Sequence, residues 1–135
     1  MKPRERLFLF CCGGFLYYLI ETMWKGSSHW SMFLAGGCCF RLIGIIRTSF
    51  ERLGTAAKCA LGSCAITGVE FISGVIVNKL MGLNVWDYSS LPFNILGQIC
   101  LPFSVLWYFI SYAALYTDRF LCTEILDTEY EPLAA

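Results

Sequence analysis

The segment Trp86–Pro102, W-D-Y-S-S-L-P-F-N-I-L-G-Q-I-C-L-P, joins a polar aromatic turn to the start of an apolar run. Tryptophan and tyrosine are enriched where a membrane meets water, which suits Trp86 and Tyr88 to headgroup level. One of the two serines at 89–90 can cap a helix, and Pro92 then lies in its first turn, where a missing N–H costs nothing. The segment therefore predicts a membrane boundary followed by a transmembrane helix.

The composition places the chain among integral membrane proteins. Of its 135 residues, 57% are hydrophobic and 15% are charged, whereas a soluble domain has about 45–50% apolar and about 25% charged residues. The formal net charge is zero, and no run of lysine and arginine resembles a nucleic-acid-binding patch. We therefore expect one membrane domain that contacts the lipid bilayer and binds no nucleic acid.

The sequence offers little for metal, cofactor or hydrolytic chemistry. Eight cysteines form no C-x-x-C pair, and His29 is the single histidine, so we expect the cysteines to act as small apolar residues. The chain contains no G-x-x-x-x-G-K-[ST], H-E-x-x-H or G-x-S-x-G motif. We expect no metal, no cofactor and no enzymatic activity.

Four apolar runs predict an all-α, polytopic protein with four transmembrane helices. Each run is close to the ~20 residues needed to cross a bilayer. The predicted helices cover about 7–24, 30–46, 57–80 and 93–116. They form a single transmembrane domain over 1–120, followed by an acidic cytosolic tail over 121–135 that includes Glu129 and Glu131.

The distribution of basic residues predicts the orientation. Four crossings put both termini on one side, together with a polar connection over 47–58. That side carries more basic residues (Lys2, Arg4, Arg6, Arg47, Arg52, Lys58, Arg119) than the other (Lys25, Lys79). The positive-inside rule then places both termini in the cytoplasm. We expect a multi-pass protein of the cell (inner or plasma) membrane.

Three charged residues fall within the predicted spans: Glu21, Arg41 and Glu70. Each costs about 2.5–3.5 kcal/mol at the centre of a membrane helix, so each needs a reason. With a helical rise of 1.5 Å per residue, the three charged residues lie at similar depths in the bilayer. Two interpretations stay open: Arg41 neutralises a glutamate and supports packing, or the three line a polar cavity that opens outward.

Amides extend this predicted polar core. Asn94 and Gln98 lie one turn apart on the fourth predicted helix, and Asn78 lies on the third. Asp87 is placed at the outer mouth, where it either binds substrate or accepts hydrogen bonds from turn amides. The candidate substrate-binding or polar-core set is Glu21, Arg41, Glu70, Asn78, Asp87, Asn94 and Gln98.

A weak internal repeat is also visible. Glu21 and Glu70 are each followed by a turn containing tryptophan and then by F-x-x-x-G, at Phe33–Gly37 and Phe93–Gly97. A parallel pseudo-repeat of two helical hairpins gives such a pattern.

Three segments resemble one bacterial membrane family. They are E-F-I-S-G (70–74), N-V-W-D-Y-S (84–89) and L-P-F-N-I-L-G-Q-I-C-L (91–101), and G-S-S-H-W-S-M-F-L-A-G-G (26–37) is similar to a compact subgroup. The family is the CmpB-like one, catalogued as "putative ABC-transporter type IV permeases". The resemblance implies a permease. With four spans the chain would require a homo-oligomer or partner membrane and ATPase subunits.

These observations favour a small permease-like or transport-associated membrane subunit with a polar intramembrane core. The alternative is a non-transporting adaptor or scaffold that regulates another membrane complex. A third interpretation, an intramembrane enzyme that uses Glu70 or Asp87 as acid–base, has no accompanying nucleophile or metal set.

Overall fold

The computed structural model describes residues 1–128. This part of the chain is helical and contains no β-strand. Its helices are α1 (Pro3–Lys25), α2 (Trp30–Ser49), α3 (Thr55–Gly74) and α4 (Leu101–Phe120), with π-helical extensions of α3 and α4 at Val75–Leu80 and Leu121–Ile125. The predicted all-α fold class is confirmed.

Within residues 1–128, three helical segments are long and apolar enough to cross a membrane: Pro3–Lys25, Trp30–Ser49 and Thr55–Leu80. α4 also has 20 residues and packs along α3, which is compatible with a fourth crossing. The protein is therefore a membrane protein built from two consecutive helical hairpins, α1–α2 and α3–α4.

Local chemistry sets the turn between α1 and α2. Gly26 ends α1 in the left-handed conformation (φ 84°), and its N–H donates to Thr22 O at 2.7 Å. His29 then caps α2, because its Nδ1 accepts the N–H of Ser31 at 3.2 Å. Both contacts satisfy backbone groups that a helix end leaves unpaired.

Glycines bring α1 and α2 into close contact. A Cβ on Gly14 would lie 2.5 Å from Phe33 O, and a Cβ on Gly36 would lie 2.5 Å from Tyr17 Cβ. Small residues let membrane helices approach until their backbones nearly touch. The first hairpin is therefore a tightly packed pair.

α2 packs in turn against α3 and α4, whereas α1 makes few contacts with either of those helices. α3 and α4 are joined by a hydrogen bond from Ser63 Oγ to Ser104 O at 2.6 Å. Near its start α1 does reach the extension of α4, where Leu9 and Cys122 share one buried cluster. α1 and α4 thus meet at one end of the bundle and separate toward the other.

The predicted start of the fourth helix is wrong. α4 begins at Leu101 and not near residue 93, and residues 81–100 form an irregular loop. Phe93 and Leu96 both have φ 54°, and Gly97 has φ 70°. A right-handed helix cannot pass through residues in this left-handed region. Asn94 and Gln98 consequently do not share a helix face.

Two predicted polar segments also differ from the structure. The connection over 47–58 is mostly helical: Arg47 is 2% and Lys58 0% exposed, within α2 and α3. The tail predicted from residue 121 begins as a helical turn, and Cys122 is 0% exposed. The tail residues Glu129 and Glu131 lie outside the described residues.

The F-x-x-x-G segments of the predicted repeat adopt different structures. Phe33–Gly37 lies within α2, whereas Phe93–Gly97 lies in the irregular loop. The structure therefore does not repeat this motif.

Candidate functional site

A cavity of about 400 Å³ lies at the end of the bundle where α1 and α4 separate. Its walls come from the end of α1, the start of α2, the end of α3 and the start of α4. Trp86 and Tyr88 of the loop also line it. We call this end, which also holds Trp24 and Trp30, the aromatic end.

A continuous row of aromatic rings forms one wall of the cavity. Tyr88 stacks on Phe103 with ring centroids 4.6 Å apart. Phe103 lies 6.1 Å from Trp107, and Trp107 lies 6.2 Å from Tyr17. The wall is therefore largely apolar and presents several π-systems.

Glu21 faces this cavity with one oxygen paired and the other unpaired. Its side chain is buried, and Oε1 accepts a hydrogen bond from Lys25 Nζ at 3.1 Å. Oε2 has no hydrogen-bond partner within residues 1–128. Lys25 is 41% exposed, so solvent weakens this ion pair.

Glu70 lines the same cavity from α3 and lacks an ion-pair partner in the described chain. The side chains of Trp107 and Tyr88 face its carboxylate. Trp107 Nε1 is buried and makes no hydrogen bond of normal length to any described residue. Burial, aided by the charge of Glu70, raises the pKa of the Tyr88 hydroxyl well above its usual value. Tyr88 is therefore a neutral donor.

The structure does not bring Arg41 to Glu21 or Glu70, so the predicted three-charge core is wrong. Cys39 of α2 faces the cavity, and Arg41 is rotated about 200° from it around the helix. Arg41 lies instead beside Gly44 and Asp118. A Cβ on Gly44 would lie 3.2 Å from Arg41 Nη1 and 2.9 Å from Asp118 Oδ1.

Asp118 anchors a second charged group, which we call the arginine cluster (Arg41, Arg47, Asp118). Arg47 Nε donates to Asp118 Oδ2 at 2.9 Å, and both side chains are at most 1% exposed. Lys58 near the start of α3 is buried at the same end of the bundle, and its Nζ has no hydrogen-bond partner among residues 1–128. The sequence prediction missed this cluster because it ended the fourth helix at residue 116.

Asn78 and Gln98 organise the loop above the cavity and do not line it. Asn78 Nδ2 donates to Gln98 Oε1 at 2.7 Å, while Asn78 Oδ1 accepts from Val85 N at 2.6 Å. The indole of Trp86 donates to Gln98 O at 3.0 Å. Gln98 is only 2% exposed, so this network fixes the loop against the end of α3.

Asn94 and Asp87 serve the same loop. Asn94 Nδ2 donates to Leu91 O at 2.9 Å, and its Oδ1 accepts from Gly97 N at 3.2 Å. Asp87 Oδ1 accepts from Ser89 N at 2.9 Å. The Ser89 hydroxyl and amide hold the pKa of Asp87 below its usual value. Asp87 is exposed and does not line the cavity.

Of the candidate residues, the structure therefore brings Glu21 and Glu70 together in one cavity and places the other five elsewhere. The residues of the aromatic wall were not among the candidates. Helical spacing could have indicated them, because Tyr17 lies one turn before Glu21 and Trp107 lies one turn after Phe103. Residues 1–128 contain no group of three His, Cys, Asp or Glu side chains that could hold a metal ion.

Comparison with known proteins places this architecture in a family. No curated protein and no solved structure matches the chain. The family model described as "Putative ABC-transporter type IV" matches residues 8–132, which confirms the CmpB-like resemblance of the sequence. The chain belongs to this family of ABC-transporter-associated membrane proteins.

Proposed function

We propose that the protein is a small permease-like or transport-associated subunit of the bacterial inner or plasma membrane. Both termini lie in the cytoplasm, and the aromatic end faces outward. The role is non-enzymatic and is carried out with partner subunits. Membership in the family supports the association with transport, and the excess of basic residues near the termini supports the orientation.

The observation that carries this proposal is the cavity with its two carboxylates. A charged residue inside a membrane bundle is costly, by about 2.5–3.5 kcal/mol at the helix centre. Glu70 has no basic ion-pair partner in the described chain that would make it part of the scaffold. A carboxylate kept at such a cost beside a cavity is best explained by a transported or sensed ligand.

An energy source must come from a partner. The sequence contains no G-x-x-x-x-G-K-[ST] motif for nucleotide binding. The turn between α2 and α3 offers a docking point at the proposed cytoplasmic end. Phe50 there is 46% exposed, next to exposed Glu51 and Arg52.

The test is purification of the tagged full-length chain in a mild detergent, with co-purifying proteins identified by mass spectrometry. We expect a nucleotide-binding subunit, and we expect the double variant Phe50→Ser with Arg52→Glu to reduce its recovery. Glu124→Gln, an exposed change in the extension of α4, is the matched control.

Two outcomes would overturn the proposal. Purification of a homo-oligomer alone from a native membrane extract would count against a role in ATP-driven transport. A partner complex that lacks an ATPase would favour the adaptor interpretation instead.

A further inference from the structure

We propose that the cavity binds a monovalent organic cation that carries apolar or aromatic groups. This inference rests on the proposed function, because it names the class of ligand that the subunit would recognise.

The charge balance of the cavity favours a cation. Glu21 and Glu70 both line it, and Lys25 is the one basic side chain among its lining residues. Lys25 pairs with Glu21 through Oε1, which leaves the Glu70 carboxylate without an ion-pair partner in the described chain and Glu21 Oε2 as an unused hydrogen-bond acceptor. Buried charge is stabilised when an opposite charge comes close. A cationic ligand supplies that charge.

The aromatic wall favours a cation with an apolar body. The faces of Tyr and Trp rings attract cations that lie within about 6 Å of the ring centroid. Tyr17, Trp107, Phe103 and Tyr88 form such a wall beside the carboxylates. The apolar lining would in turn remove the ligand's hydrophobic groups from water or lipid headgroups.

The size and polarity of the cavity narrow the class of ligand further. A volume of about 400 Å³ lies within the range of roughly 300–1,000 Å³ typical of small-molecule sites. A sugar or peptide would require many hydrogen-bond partners, and this lining offers few. A metal ion is disfavoured, since residues 1–128 hold no suitable group of three ligands.

The first experiment compares two ions of nearly identical shape and opposite charge. Tetraphenylphosphonium and tetraphenylborate are titrated into the purified full-length protein in detergent. Binding is followed by calorimetry and by quenching of tryptophan fluorescence, because Trp24, Trp86 and Trp107 line the cavity. We expect saturable, one-to-one binding of the cation only. Equal binding of both ions would show hydrophobic partitioning and would overturn the proposal.

Variants then locate the site. Glu70→Gln should weaken tetraphenylphosphonium binding about tenfold or more, as expected when one desolvated charge pair is lost. Ala35→Phe keeps both carboxylates but fills the cavity, so it should abolish binding even if Glu70→Gln is poorly folded. Glu124→Gln should bind as the native protein does. Native affinity in both cavity variants would contradict the assignment.

The binding assay uses the isolated chain and no ATPase. Cation binding without a co-purifying nucleotide-binding subunit would support the ligand assignment and count against the transport role. Co-purification of a nucleotide-binding subunit without binding of the cation would support the transport role and refute the proposed class of ligand.

Discussion

The two charged regions of the bundle differ in how the helices around them pack. In the arginine cluster the helices close tightly, and the buried Arg47–Asp118 pair joins α2 to α4 at 2.9 Å. At the aromatic end α1 and α4 have separated, and Glu21 and Glu70 face a cavity of about 400 Å³. The comparison shows that charges of this bundle pair across helices where α2 meets α4, and that two carboxylates face a cavity where α1 and α4 separate.

The largest effect should come from breaking the arginine cluster. Asp118→Leu leaves Arg47 buried beside an apolar side chain, and loss of one partner of a buried ion pair costs about 3–5 kcal/mol. We expect the free energy of unfolding in detergent to fall by that amount, measured by chemical denaturation.

Two further variants calibrate this prediction. Arg47→Met combined with Asp118→Leu should recover part of the lost stability, because both members of the buried ion pair are then replaced by apolar side chains. Glu124→Gln, at an exposed position, should change little. A loss for Asp118→Leu no greater than for this control would show that the pair does not hold α2 to α4.

An intermediate effect is expected in the loop above the cavity. Gln98→Leu removes the acceptor of the partly buried Asn78 Nδ2, and the loss of such a hydrogen bond costs about 0.5–1.5 kcal/mol. The free energy of unfolding should fall by that amount, and hydrogen exchange of the Val85 amide should quicken as Asn78 loses its fixed position. Ser90→Ala, on the exposed surface of the same loop, is the control. Unchanged exchange at Val85 would argue against the network.

Glu70→Gln should change stability far less than Asp118→Leu, by about 1 kcal/mol or less in either direction. No ion pair of the described chain is lost, and the glutamine amide keeps the size of the carboxyl group and an oxygen that can accept hydrogen bonds. Parallel denaturation of both variants measures the contrast directly. If Glu70→Gln and Asp118→Leu lowered the free energy of unfolding equally, Glu70 would be part of the scaffold. The proposed difference between the aromatic end and the arginine cluster would then be refuted.

The smallest effect concerns Asp87 and pH. Its pKa is lowered by the Ser89 hydroxyl and amide, so its stabilising contribution is fully present above the ordinary aspartate pKa. The contribution is lost as pH falls through the lowered value. The Ser89 amide resonance, followed by NMR, should shift in that acidic range. Asp87→Asn should remove the shift, and a persistent shift in that variant would point to another group.

The helices were predictable from the sequence because long apolar runs at membrane-spanning length leave few alternatives. The start of α4 was not. Phe93 and Leu96 adopt positive φ, a conformation that neither residue type favours on its own. The loop is stabilised by hydrogen bonds such as the one between Asn78 and Gln98, which joins residues 20 positions apart.

The cavity was predictable only in part. Helical rise alone places Glu21 and Glu70 at similar depths, and both do line one cavity. The partner of Arg47 is 71 residues away, and no local spacing reveals it. Rotation about the helix axis decides which way Arg41 faces, and depth carries no information about rotation.

The separation of α1 from α4 also determines how a ligand would arrive. Ile20, Met23 and Leu106 line the cavity and are 53%, 80% and 44% exposed, so the cavity is open between α1 and α4, and in a membrane lipid would surround this opening. A ligand of the proposed class would therefore enter laterally. A molecule entering this way first dissolves in the adjoining leaflet, so its occupancy of the cavity follows its partition coefficient as well as its aqueous concentration. Two ligands with equal intrinsic affinity would then differ in apparent potency according to their lipophilicity.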